Sequence, residues 1–466
     1  MEDLRQFHHV HIVGIGGAGM SAIARVLHGR GFVVHGSDRQ ESPLAKALHA
    51  EGISTIIGHA PENVGAADLV LVSSAVPDDN VELLEAQRRG IRVMGRPEFL
   101  FTLTAGYDVI AVAGAHGKTT VTGMITLLML DAGFDPTFIV GGVLGNLSTN
   151  ARAGSGSYFV IEADEYRNTF LSLMPKIAVV TNVEFDHPDC FPSLRFVRLA
   201  FGDFVDNIRP DGMLVACNDD EVTHAIAASY HANGGRLMLY GHHEGVGLAW
   251  RATEVRPNDL GGVTFVAIHA GVHVGEVSLR IPGEYNALNA LAVLCVADAL
   301  GINWEVARRS LERFKGTARR FEVLGDAAGI VVIDDYAHHP TQIRQVLAAA
   351  RQRYPGRRII AAWEPHTFSR IKALYYDFID AFGAADQVVV LPIYAAREID
   401  DGSLTAEGLA ERIAHLHVVA ASSLDEAVQM LAGLAQPGDV MLMLGAGNEY
   451  LVGQQVLEEL RKRSKE

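Results

Sequence analysis

The sequence predicts an α/β protein organised in three domains. Its 466 residues suggest about three domains of ~150 residues each. Two glycine-rich loops each follow an apolar strand-like run and precede a helix-like run, and strands and helices alternate through the last third of the chain. We therefore expect domains at residues 1–105, 106–314 and 315–466.

The first domain opens with a strand, a glycine-rich loop and a helix. Strand Val10–Val13 leads into GIGGAG, and a strand ending at Gly36 precedes an acid, about 20 residues after the loop. This pattern cradles a pyrophosphate and places the acid near a ribose or base, as in a Rossmann-like domain. NAD, FAD and UDP-sugars all contain a pyrophosphate, and a tight turn without a ligand is the alternative. The candidate binding residues are Gly14, Gly16, Gly17, Ala18, Gly19, Ser37 and Asp38.

The second domain carries a second glycine loop, GAHGKTT at 114–120, between the apolar run 109–113 and a helix-like run at 121–130. Strand, loop and helix are the context of a phosphate-binding P-loop, in which backbone N–H groups and the helix N-terminus attract phosphate. Lys118 would reach the β- and γ-phosphates, and Thr119 would ligate Mg²⁺. Val112 replaces the usual first glycine, so a chance glycine turn is the alternative. The candidate nucleotide-binding residues are Gly114, His116, Gly117, Lys118, Thr119 and Thr120.

Two further strands of the second domain end in acid-rich loops. Strand 158–161 leads into EADEY, and strand 177–182 leads into VEFDHPD. In a parallel sheet these loops gather at the carboxyl edge beside the phosphate loop, where acids suit a Mg²⁺–nucleotide site. Residues 248–281 predict a small antiparallel flap, and a long apolar helix begins near Asn286.

The third domain follows a basic cluster at 314–322, which we interpret as a hinge that also meets phosphates. Predicted strands at 330–333, 358–363, 387–391, 417–420 and 440–444 alternate with helices, which predicts a second Rossmann-like unit. Two polar motifs, DDYAHHP and EPHTFSR, each follow a strand directly. Of the 20 histidines, those at strand ends are the functional candidates, namely His187, His338, His339 and His366.

Composition excludes several classes of protein. The formal net charge of −16 argues against a general binder of nucleic acid or of an anionic membrane. The three cysteines lie far apart, which argues against a disulfide framework or a cysteine-based zinc site. The polar residues 1–9 do not resemble a signal peptide, and no apolar run reaches the ~18 residues of a membrane span. We expect a cytoplasmic protein.

Ordered motifs run through nearly the whole chain. They are GIGGAGMS at 14–21, SSAVPDDN at 73–80, GAHGKTT at 114–120, EADE at 162–165, TNVEFDHPD at 181–189, FKGTARRFE at 314–322, DDYAHHPT at 334–341 and EPHTFSR at 364–370. Together they resemble the Mur ligase family, which builds the peptide stem of bacterial peptidoglycan. Within that family the sequence is most similar to the member that joins L-alanine to UDP-N-acetylmuramate.

The resemblance implies a role for each domain. The first would hold UDP-N-acetylmuramate, with its pyrophosphate on the 14–19 loop and with Ser73 and Ser74 in a matching motif. The second would bind ATP, and the third would close over both and bring L-alanine. A monomer or weak homodimer is expected.

The resemblance also implies roles for single residues. Lys118 would hold the β- and γ-phosphates, and Thr119 with Glu162 one Mg²⁺ (or Mn²⁺) ion. His187 would ligate a second ion that bridges the γ-phosphate and the substrate carboxylate. Asn286 and Asn289 match the adenine-side motif, Arg320 would reach the γ-phosphate, and Asp335 the ribose. The amino-acid pocket would be lined by Tyr336, His338, His366 and Arg370, with Thr367 where some relatives carry arginine.

The implied reaction is ATP-driven amide formation. The lactyl carboxylate of UDP-N-acetylmuramate attacks the γ-phosphorus of ATP to give an acyl phosphate. The amine of L-alanine then attacks the acyl carbon, and His338 or His366 accepts the amine proton.

One absence narrows the choice within the family. Several family members use a carbamylated lysine as a metal ligand after the histidine that matches His187, yet no lysine lies between Lys176 and Lys315. That absence leaves the alanine-adding ligase and its relative that recycles whole peptides. Outside the family, a nicotinamide-dependent oxidoreductase would account for the 14–19 loop but not for the early phosphate loop. A non-catalytic nucleotide-binding regulator would account for both loops.

Overall fold

The protein is described here by a computed structural model that covers residues 4–463. Residues 1–3 and 464–466 lie outside that range. The first three belong to the predicted first domain and to the polar start of the chain, and the last three belong to the predicted third domain. Within it, the strands form three sheets of five, ten and six members. The predicted α/β class is confirmed, and the domain bounds stay predictions.

The first sheet is wholly parallel, in the order β3-β2-β1-β4-β5. That order is typical of a Rossmann-like fold, with its switch point between β1 and β4. The predicted glycine loop joins β1 to α1 there. The strands are β1 His9–Val13, β2 Val33–Asp38, β3 Ser54–Ile57, β4 Leu69–Val72 and β5 Arg92–Gly95. The helices are α1 Ala18–Gly29, α2 Pro43–Ala50, α3 Val81–Arg88 and α4 Arg96–Thr104, with a 3-10 turn at Pro61–Val64 and another at Leu4–Gln6.

The second sheet has the order β15-β14-β13-β12-β11-β10-β6-β9-β7-β8. Its strands are β6 Asp108–Ala113, β7 Thr137–Leu144, β8 Thr149–Arg152, β9 Tyr158–Glu162, β10 Ile177–Val180, β11 Met213–Cys217, β12 Leu237–Gly241, β13 Leu248–Pro257, β14 Val263–His269 and β15 Val272–Ser278. Its helices are α5 Lys118–Asp131, α6 Leu194–Asp206, α7 Glu221–Ala232, α8 Tyr285–Ala299 and α9 Trp304–Arg313, with a 3-10 segment at Tyr166–Ser172.

The order of this sheet positions the site. Strand β6, which precedes the phosphate loop, pairs in parallel with β10 on one side and with β9 on the other. The two acid-rich loops therefore flank the phosphate loop, as the sequence predicts. The predicted flap is also confirmed as antiparallel, and because β13 pairs in parallel with β12 it continues the central sheet. Helices α5 and α8 pack on each other and are buried along most of their length, which explains their lack of a polar face.

The third sheet has the order β16-β17-β21-β18-β19-β20, with β16 antiparallel to β17 and the other strands parallel. The five predicted strands are confirmed. The edge strand β16 escapes prediction because most of its side chains are exposed or only half-buried. The strands are β16 Glu322–Ala327, β17 Ile330–Asp335, β18 Ile359–Trp363, β19 Gln387–Val390, β20 Val418–Ala420 and β21 Val440–Leu444. The helices are α10 Pro340–Arg353, α11 Phe368–Ala373, α12 Tyr375–Ile379, α13 Ala406–Ala410, α14 Leu424–Leu434 and α15 Glu449–Arg463.

Helix α1 of the first sheet packs on β7 and β8 of the second, and one apolar core runs through both units. The third unit has apolar clusters of its own, which enclose the two faces of its sheet. Between residues 4 and 463, no helix combines the length and the hydrophobicity that crossing a bilayer requires.

Candidate active site

The phosphate loop is built on two glycines that no other residue could replace without strain. Gly114 has φ +141° and Gly117 has φ +83°. A Cβ added to Gly114 would lie 2.0 Å from Thr181 Oγ1, and one added to Gly117 would lie 2.6 Å from Asn289 Oδ1. Because Gly117 is the N-cap of α5, the loop ends at a helix N-terminus, which favours a bound anion.

Lys118 is held at the base of this loop. Its Nζ donates to the carbonyl of Gly114 at 2.6 Å and lies 2.9 Å from Glu165 Oε2. Burial alone would lower the pKa of Lys118, but the neighbouring carboxylates, that of Glu165 above all, outweigh burial and raise it. Lys118 therefore carries its positive charge beside the anion-binding loop.

Oxygen atoms suited to Mg²⁺ lie next to Lys118. Thr119 Oγ1 donates to Glu162 Oε1 at 3.0 Å, and the other carboxylate oxygen of Glu162 accepts from the N–H of Gly141 at 2.6 Å. A hydroxyl and a carboxylate at the mouth of a phosphate loop are hard oxygen donors, so these residues fit a magnesium ion. From the third domain, Arg320 places Nη2 3.5 Å from the same hydroxyl.

His187 faces the phosphate loop from the other acid-rich loop. Its φ is +56°, a left-handed conformation that costs energy in a residue with a side chain. Its Nε2 lies 3.7 Å from Glu165 Oε1 and 3.8 Å from Asp186 Oδ2. Glu165 is paired with Lys118 and Asp186 with Arg370, so the imidazole of His187 is the group here that could ligate a second divalent ion.

A cavity of about 280 Å³ lies between the central and third units, beside the phosphate loop. Asn286 and Asn289 stand on its wall in the first two turns of α8, and Asn289 Nδ2 donates to Asn286 Oδ1 at 2.9 Å. Opposite them, Asp335 accepts from the N–H of Phe321 at 2.7 Å, and burial raises its pKa to about 6. The predicted residues on the cavity wall are His116, Gly117, Thr119, Thr120, Asn286, Asn289, Arg320 and Asp335.

The segment that carries Arg320 is strained on both sides. Arg319 has φ +60° and Phe321 has φ +50°. Both arginines lie over the ring of Tyr336, with guanidinium carbons 4.8 Å (Arg319) and 5.1 Å (Arg320) from the ring centre. The basic segment 314–322 thus places Arg320 on the wall of the cavity, whereas Arg319 pairs with Asp334 and Glu449 within the third unit.

The residues that are predicted to line the amino-acid pocket lie together beside Asp186, the neighbour of His187 in the chain. Arg370 Nε donates to Asp186 Oδ1 at 2.7 Å, and His338 Nε2 lies 3.6 Å from the other oxygen of that carboxylate. Burial opposes ionisation of Asp186, but the charge of Arg370 outweighs it and holds the Asp186 pKa well below its usual range. The His338 ring lies 5.3 Å from that of Tyr336 and 5.9 Å from that of His366.

His338 and His366 differ in whether Nε2 carries a lone pair or a proton. His338 Nδ1 lies 2.8 Å from the carbonyl of Tyr336, to which it can only donate, so its Nε2 holds a lone pair. His366 Nδ1 accepts from Arg370 Nη1 at 2.8 Å, so its Nε2 carries the proton of the neutral ring. Burial lowers the pKa of His338 to about 3 and that of His366 to about 2, and both rings are neutral at pH 7.

The glycine loop of the first unit lies apart from this cluster. Its Gly16 N–H donates to Asp38 Oδ2 at 2.9 Å, and Gly14 adopts φ +82° against Ser73. Gly17 is the N-cap of α1, with Ala18 and Gly19 in the first turn, and Ser74 accepts through its carbonyl from Arg167 Nη1 at 3.0 Å. Ser37 is fully buried, and its hydroxyl donates to Glu82 at 2.5 Å.

The sequence assigns no role to several residues that the structure places in or beside the site. Glu165 and Asp186 stand inside motifs that the sequence singles out, but their buried positions next to Lys118 and Arg370 come from the fold alone. Gln342 and Thr341 reach the phosphate-loop side from α10, and no spacing rule connects them to it. Arg397 follows β19 in a loop without a recognisable pattern.

Known proteins share this architecture. Three models of Mur ligase domains match the chain: the Mur ligase family catalytic domain at residues 9–108, the Mur ligase middle domain at 112–297, and the Mur ligase glutamate ligase domain at 319–447. The chain therefore belongs to the Mur ligase family, as its motifs indicate.

Several relatives of the chain are named for the same ligase activity. The UDP-N-acetylmuramate–L-alanine ligase of Caldanaerobacter subterraneus subsp. tengcongensis is 41% identical over 463 residues, which cover 99% of each chain. Among solved structures, the UDP-N-acetylmuramate–alanine ligase of Thermotoga maritima aligns with a TM-score of 0.81 at 29% identity, covering 99% of this chain and 100% of that one. A murein peptide ligase of Psychrobacter arcticus aligns with a TM-score of 0.74 at 26% identity, covering 97% and 99%.

Proposed function

We propose that the protein is an ATP-dependent ligase that joins L-alanine to the lactyl carboxylate of UDP-N-acetylmuramate. The products are the amide, ADP and phosphate, in the synthesis of peptidoglycan precursors. The observation that carries this proposal is the meeting of Lys118, Thr119 and Glu162 of one domain with Arg320 of another beside a single cavity. The named activity of the full-length relatives supports the choice of substrates.

The central domain binds ATP in this proposal. Backbone N–H groups of the phosphate loop and the Lys118 ammonium hold the β- and γ-phosphates, while Asn286 and Asn289 lie on the adenine side. Thr119 and Glu162 would hold one Mg²⁺ ion and His187 a second. When bound, the ions would neutralise negative charge at the γ-phosphate and the substrate carboxylate.

Phosphoryl transfer needs stabilisation of the charge on the γ-phosphoryl group. Lys118 and Arg320 supply fixed positive charge from two different domains. The carboxylate attacks the γ-phosphorus, an acyl phosphate and ADP form, and the carboxyl carbon becomes a good electrophile. The amine of L-alanine then attacks that carbon, and phosphate leaves.

The amine must lose a proton to react. His338 and His366 are both candidates for the acceptor, and the hydrogen bonds favour His338. Its Nδ1–H is held by a carbonyl, and its Nε2 lone pair lies 3.6 Å from the Asp186 carboxylate, which would stabilise the imidazolium that forms. Arg370, in contrast, occupies the lone pair of His366. Tyr336 and Arg370 complete the pocket in this proposal.

The first domain holds the UDP-sugar. Its glycine loop lies at the switch point of the sheet, where α/β folds bind nucleotides. Gly14, Gly16, Gly17, Ala18 and Gly19 would approach the pyrophosphate, with Ser73, Ser74 and Asp38 around it. Ser37 is fully buried and supports the loop, since its carbonyl accepts from the N–H of Gly14 at 2.8 Å and its hydroxyl donates to Glu82. A cytoplasmic location and a monomer or weak homodimer stay predictions.

An isotope experiment tests the acyl-phosphate route. UDP-N-acetylmuramate labelled with ¹⁸O in its lactyl carboxylate is incubated with ATP, Mg²⁺ and L-alanine, and the released phosphate is analysed by mass spectrometry. Transfer of one ¹⁸O atom per turnover supports the proposal. Release of unlabelled phosphate would show that the carboxylate is not phosphorylated. If the protein uses a peptide as acceptor but not L-alanine, it has the activity named for the Psychrobacter arcticus relative.

A further inference from the structure

A buried carboxylate lies inside the first domain, outside the cavity at the phosphate loop. Glu82 stands in the first turn of α3 and is fully buried. Its Oε2 accepts from Ser37 Oγ at 2.5 Å and lies 3.3 Å from His59 Nδ1. Its Oε1 accepts from Asn63 Nδ2 at 2.6 Å and from the N–H of Ala60 at 3.3 Å. Groups from β2 and from the segment after β3 therefore converge on one carboxylate.

These hydrogen bonds keep the carboxylate ionised. Burial raises the pKa of Glu82, but the hydrogen bonds from His11 Nε2 at 3.2 Å and from Ser37 and Asn63 outweigh burial and lower it to about 2. A buried anion is costly unless hydrogen bonds replace its lost hydration. At pH 7 Glu82 is therefore an acceptor only, and every group that faces it must donate.

Ser37 connects Glu82 to the glycine loop. The hydroxyl of Ser37 is held by Glu82, and its carbonyl accepts from the N–H groups of Gly14 at 2.8 Å and Ile15 at 3.0 Å. The position of Ser37 thus sets where the glycine loop leaves β1.

The other donors belong to the loop at residues 58–64, which follows β3. Because β3 is parallel to β2, this loop lies at the same carboxyl edge of the sheet as the glycine loop. The N–H of Gly58 donates to the carbonyl of Asp38 at 2.8 Å, and Asn63 Nδ2 donates both to the carbonyl of Gly58 at 3.1 Å and to Glu82. Glu82 therefore joins the two loops that border the predicted sugar-nucleotide site.

Glu82 also determines which nitrogen of His59 carries the proton. Nδ1 of His59 lies 3.3 Å from Glu82 and 3.1 Å from Ser37 Oγ, whose own hydrogen is donated to Glu82. Both oxygens accept here, so the neutral ring of His59 holds its proton on Nδ1 and a lone pair on Nε2. The side chain of His59 is 22% exposed, so this proton position reaches the surface of the domain.

We propose that Glu82 is a positioning residue for the sugar nucleotide, and that it holds the glycine loop, the 58–64 loop and the His59 proton in the arrangement that binds this ligand. The inference rests on the proposed function, in which the first domain holds UDP-N-acetylmuramate. A carboxylate does not itself attract a diphosphate, so Glu82 acts through the groups that it orients. It is not on the wall of the cavity assigned to ATP, so ATP binding does not involve it.

Glu82→Gln tests the proposal without emptying the space. The amide oxygen can still accept from Asn63 and Ala60, and the NH₂ group then faces a hydroxyl and two imidazoles, each of which can accept. The variant should therefore fold, but the hydrogen bonds to Ser37 and His59 are reversed.

We expect Glu82→Gln to change one substrate constant selectively. The Kd for UDP-N-acetylmuramate, measured by calorimetry, and the KM for this substrate should both rise about 10-fold, as for one buried hydrogen bond to a charged group. The kcat at saturating substrates and the KM for ATP should stay at their wild-type values. A residue that only stabilises the fold would lower the melting temperature without this division.

Two further variants define where the effect arises. Ser37→Ala removes the hydroxyl but keeps the carbonyl that holds Gly14; it should raise the same Kd, and by less than an additive amount when combined with Glu82→Gln. Glu85→Gln is the matched control, because Glu85 lies on the same helix but pairs with the exposed Arg88 at 2.8 Å. It should bind UDP-N-acetylmuramate as the wild type does.

Three results would overturn the proposal. One is a wild-type Kd for UDP-N-acetylmuramate in Glu82→Gln, whatever the melting temperature of the variant. Another is an equal rise in KM for ATP and for the sugar nucleotide, which would indicate general damage to the fold. The third is a lower kcat with an unchanged Kd, which would place Glu82 in the chemical steps. A wild type that does not bind UDP-N-acetylmuramate would contradict the proposed function itself, and the inference with it.

Discussion

The side-chain amide of Gln342 donates a hydrogen bond of 2.8 Å to Nδ1 of His116, and this bond ties the third domain to the phosphate loop. The amide cannot turn over, because its oxygen accepts from the N–H of His338 at 3.1 Å. His116 Nδ1 is therefore an acceptor, and Nε2–H is directed at Glu184 at 2.5 Å. Thr341, next to Gln342, donates to the same carboxylate at 2.7 Å.

Replacing Gln342 by leucine should remove the hydrogen bond to His116, while a side chain of similar size still fills the space. The variant leaves Nδ1 of a buried histidine without its donor, and the phosphate loop loses a contact that only the docked third domain provides. We expect kcat/KM for ATP to fall about 10-fold, as for one buried hydrogen bond, in steady-state phosphate release.

The control for this prediction is Gln352→Leu. Gln352 lies on the same helix and also bridges the domains, through a 3.0 Å bond to Glu284, but it is remote from the phosphate loop. Equal losses in both variants would show that docking in general, and not the link to His116, determines ATP use.

Lys118→Met should abolish turnover and leave binding of the UDP-sugar intact. The ammonium is the cation at the base of the loop, and its removal leaves the buried Glu165 without its partner, so the melting temperature should also fall. We expect a loss of more than about 1,000-fold in phosphate release. UDP-N-acetylmuramate binding by calorimetry should not change.

Lys372→Met is the matched control, since Lys372 forms an exposed ion pair with Asp401 on the third domain. Undiminished turnover in Lys118→Met would contradict the role of the phosphate loop.

The sequence predicts the parts of this site that lie on one continuous segment. The glycines of the phosphate loop, Lys118 and the acid-rich loops follow strands, and in a parallel sheet strand ends meet at one edge. The tie between His116 and Gln342 joins residues 226 positions apart, and Arg397 reaches Asp189 across 208. Such contacts depend on how two domains dock, which no local pattern encodes.

The sequence likewise does not predict where the backbone adopts a strained conformation. Thr367 has φ +63°, a genuine outlier for a β-branched residue, and His187 has φ +56°, which is uncommon for any residue other than glycine. Both positions are held by the surrounding structure and direct a side chain or a helix start toward the site. The strand order of the third sheet differs from that of the first, although both regions show the same alternation of strands and helices.

A buried carboxyl pair should make stability depend on pH. Glu364 is 2% exposed and Glu449 fully buried, and burial, followed by the hydrogen bond to Glu449, raises the pKa of Glu364 to about 9. The folded protein thus holds a proton that the unfolded chain releases near its ordinary pKa of 4.5. Its stabilising contribution is complete below that value and is lost as the pH rises toward 9.

Glu364→Gln should remove this dependence, because an amide donates to Glu449 at every pH. Between pH 6 and pH 8, we expect the melting temperature of the wild type to fall by about 5 °C relative to that of the variant. Scanning calorimetry at several pH values measures the difference. The exposed Glu411→Gln serves as control, and parallel pH profiles for wild type and Glu364→Gln would show that the pair shares no proton.

The most direct test of the proposed function is phosphate release from ATP and Mg²⁺ in the presence of UDP-N-acetylmuramate, with L-alanine or a stem tripeptide as acceptor. We predict release that depends on both the sugar nucleotide and L-alanine. Release with the tripeptide alone, or no release with either acceptor in a protein that binds ATP, would contradict the assignment.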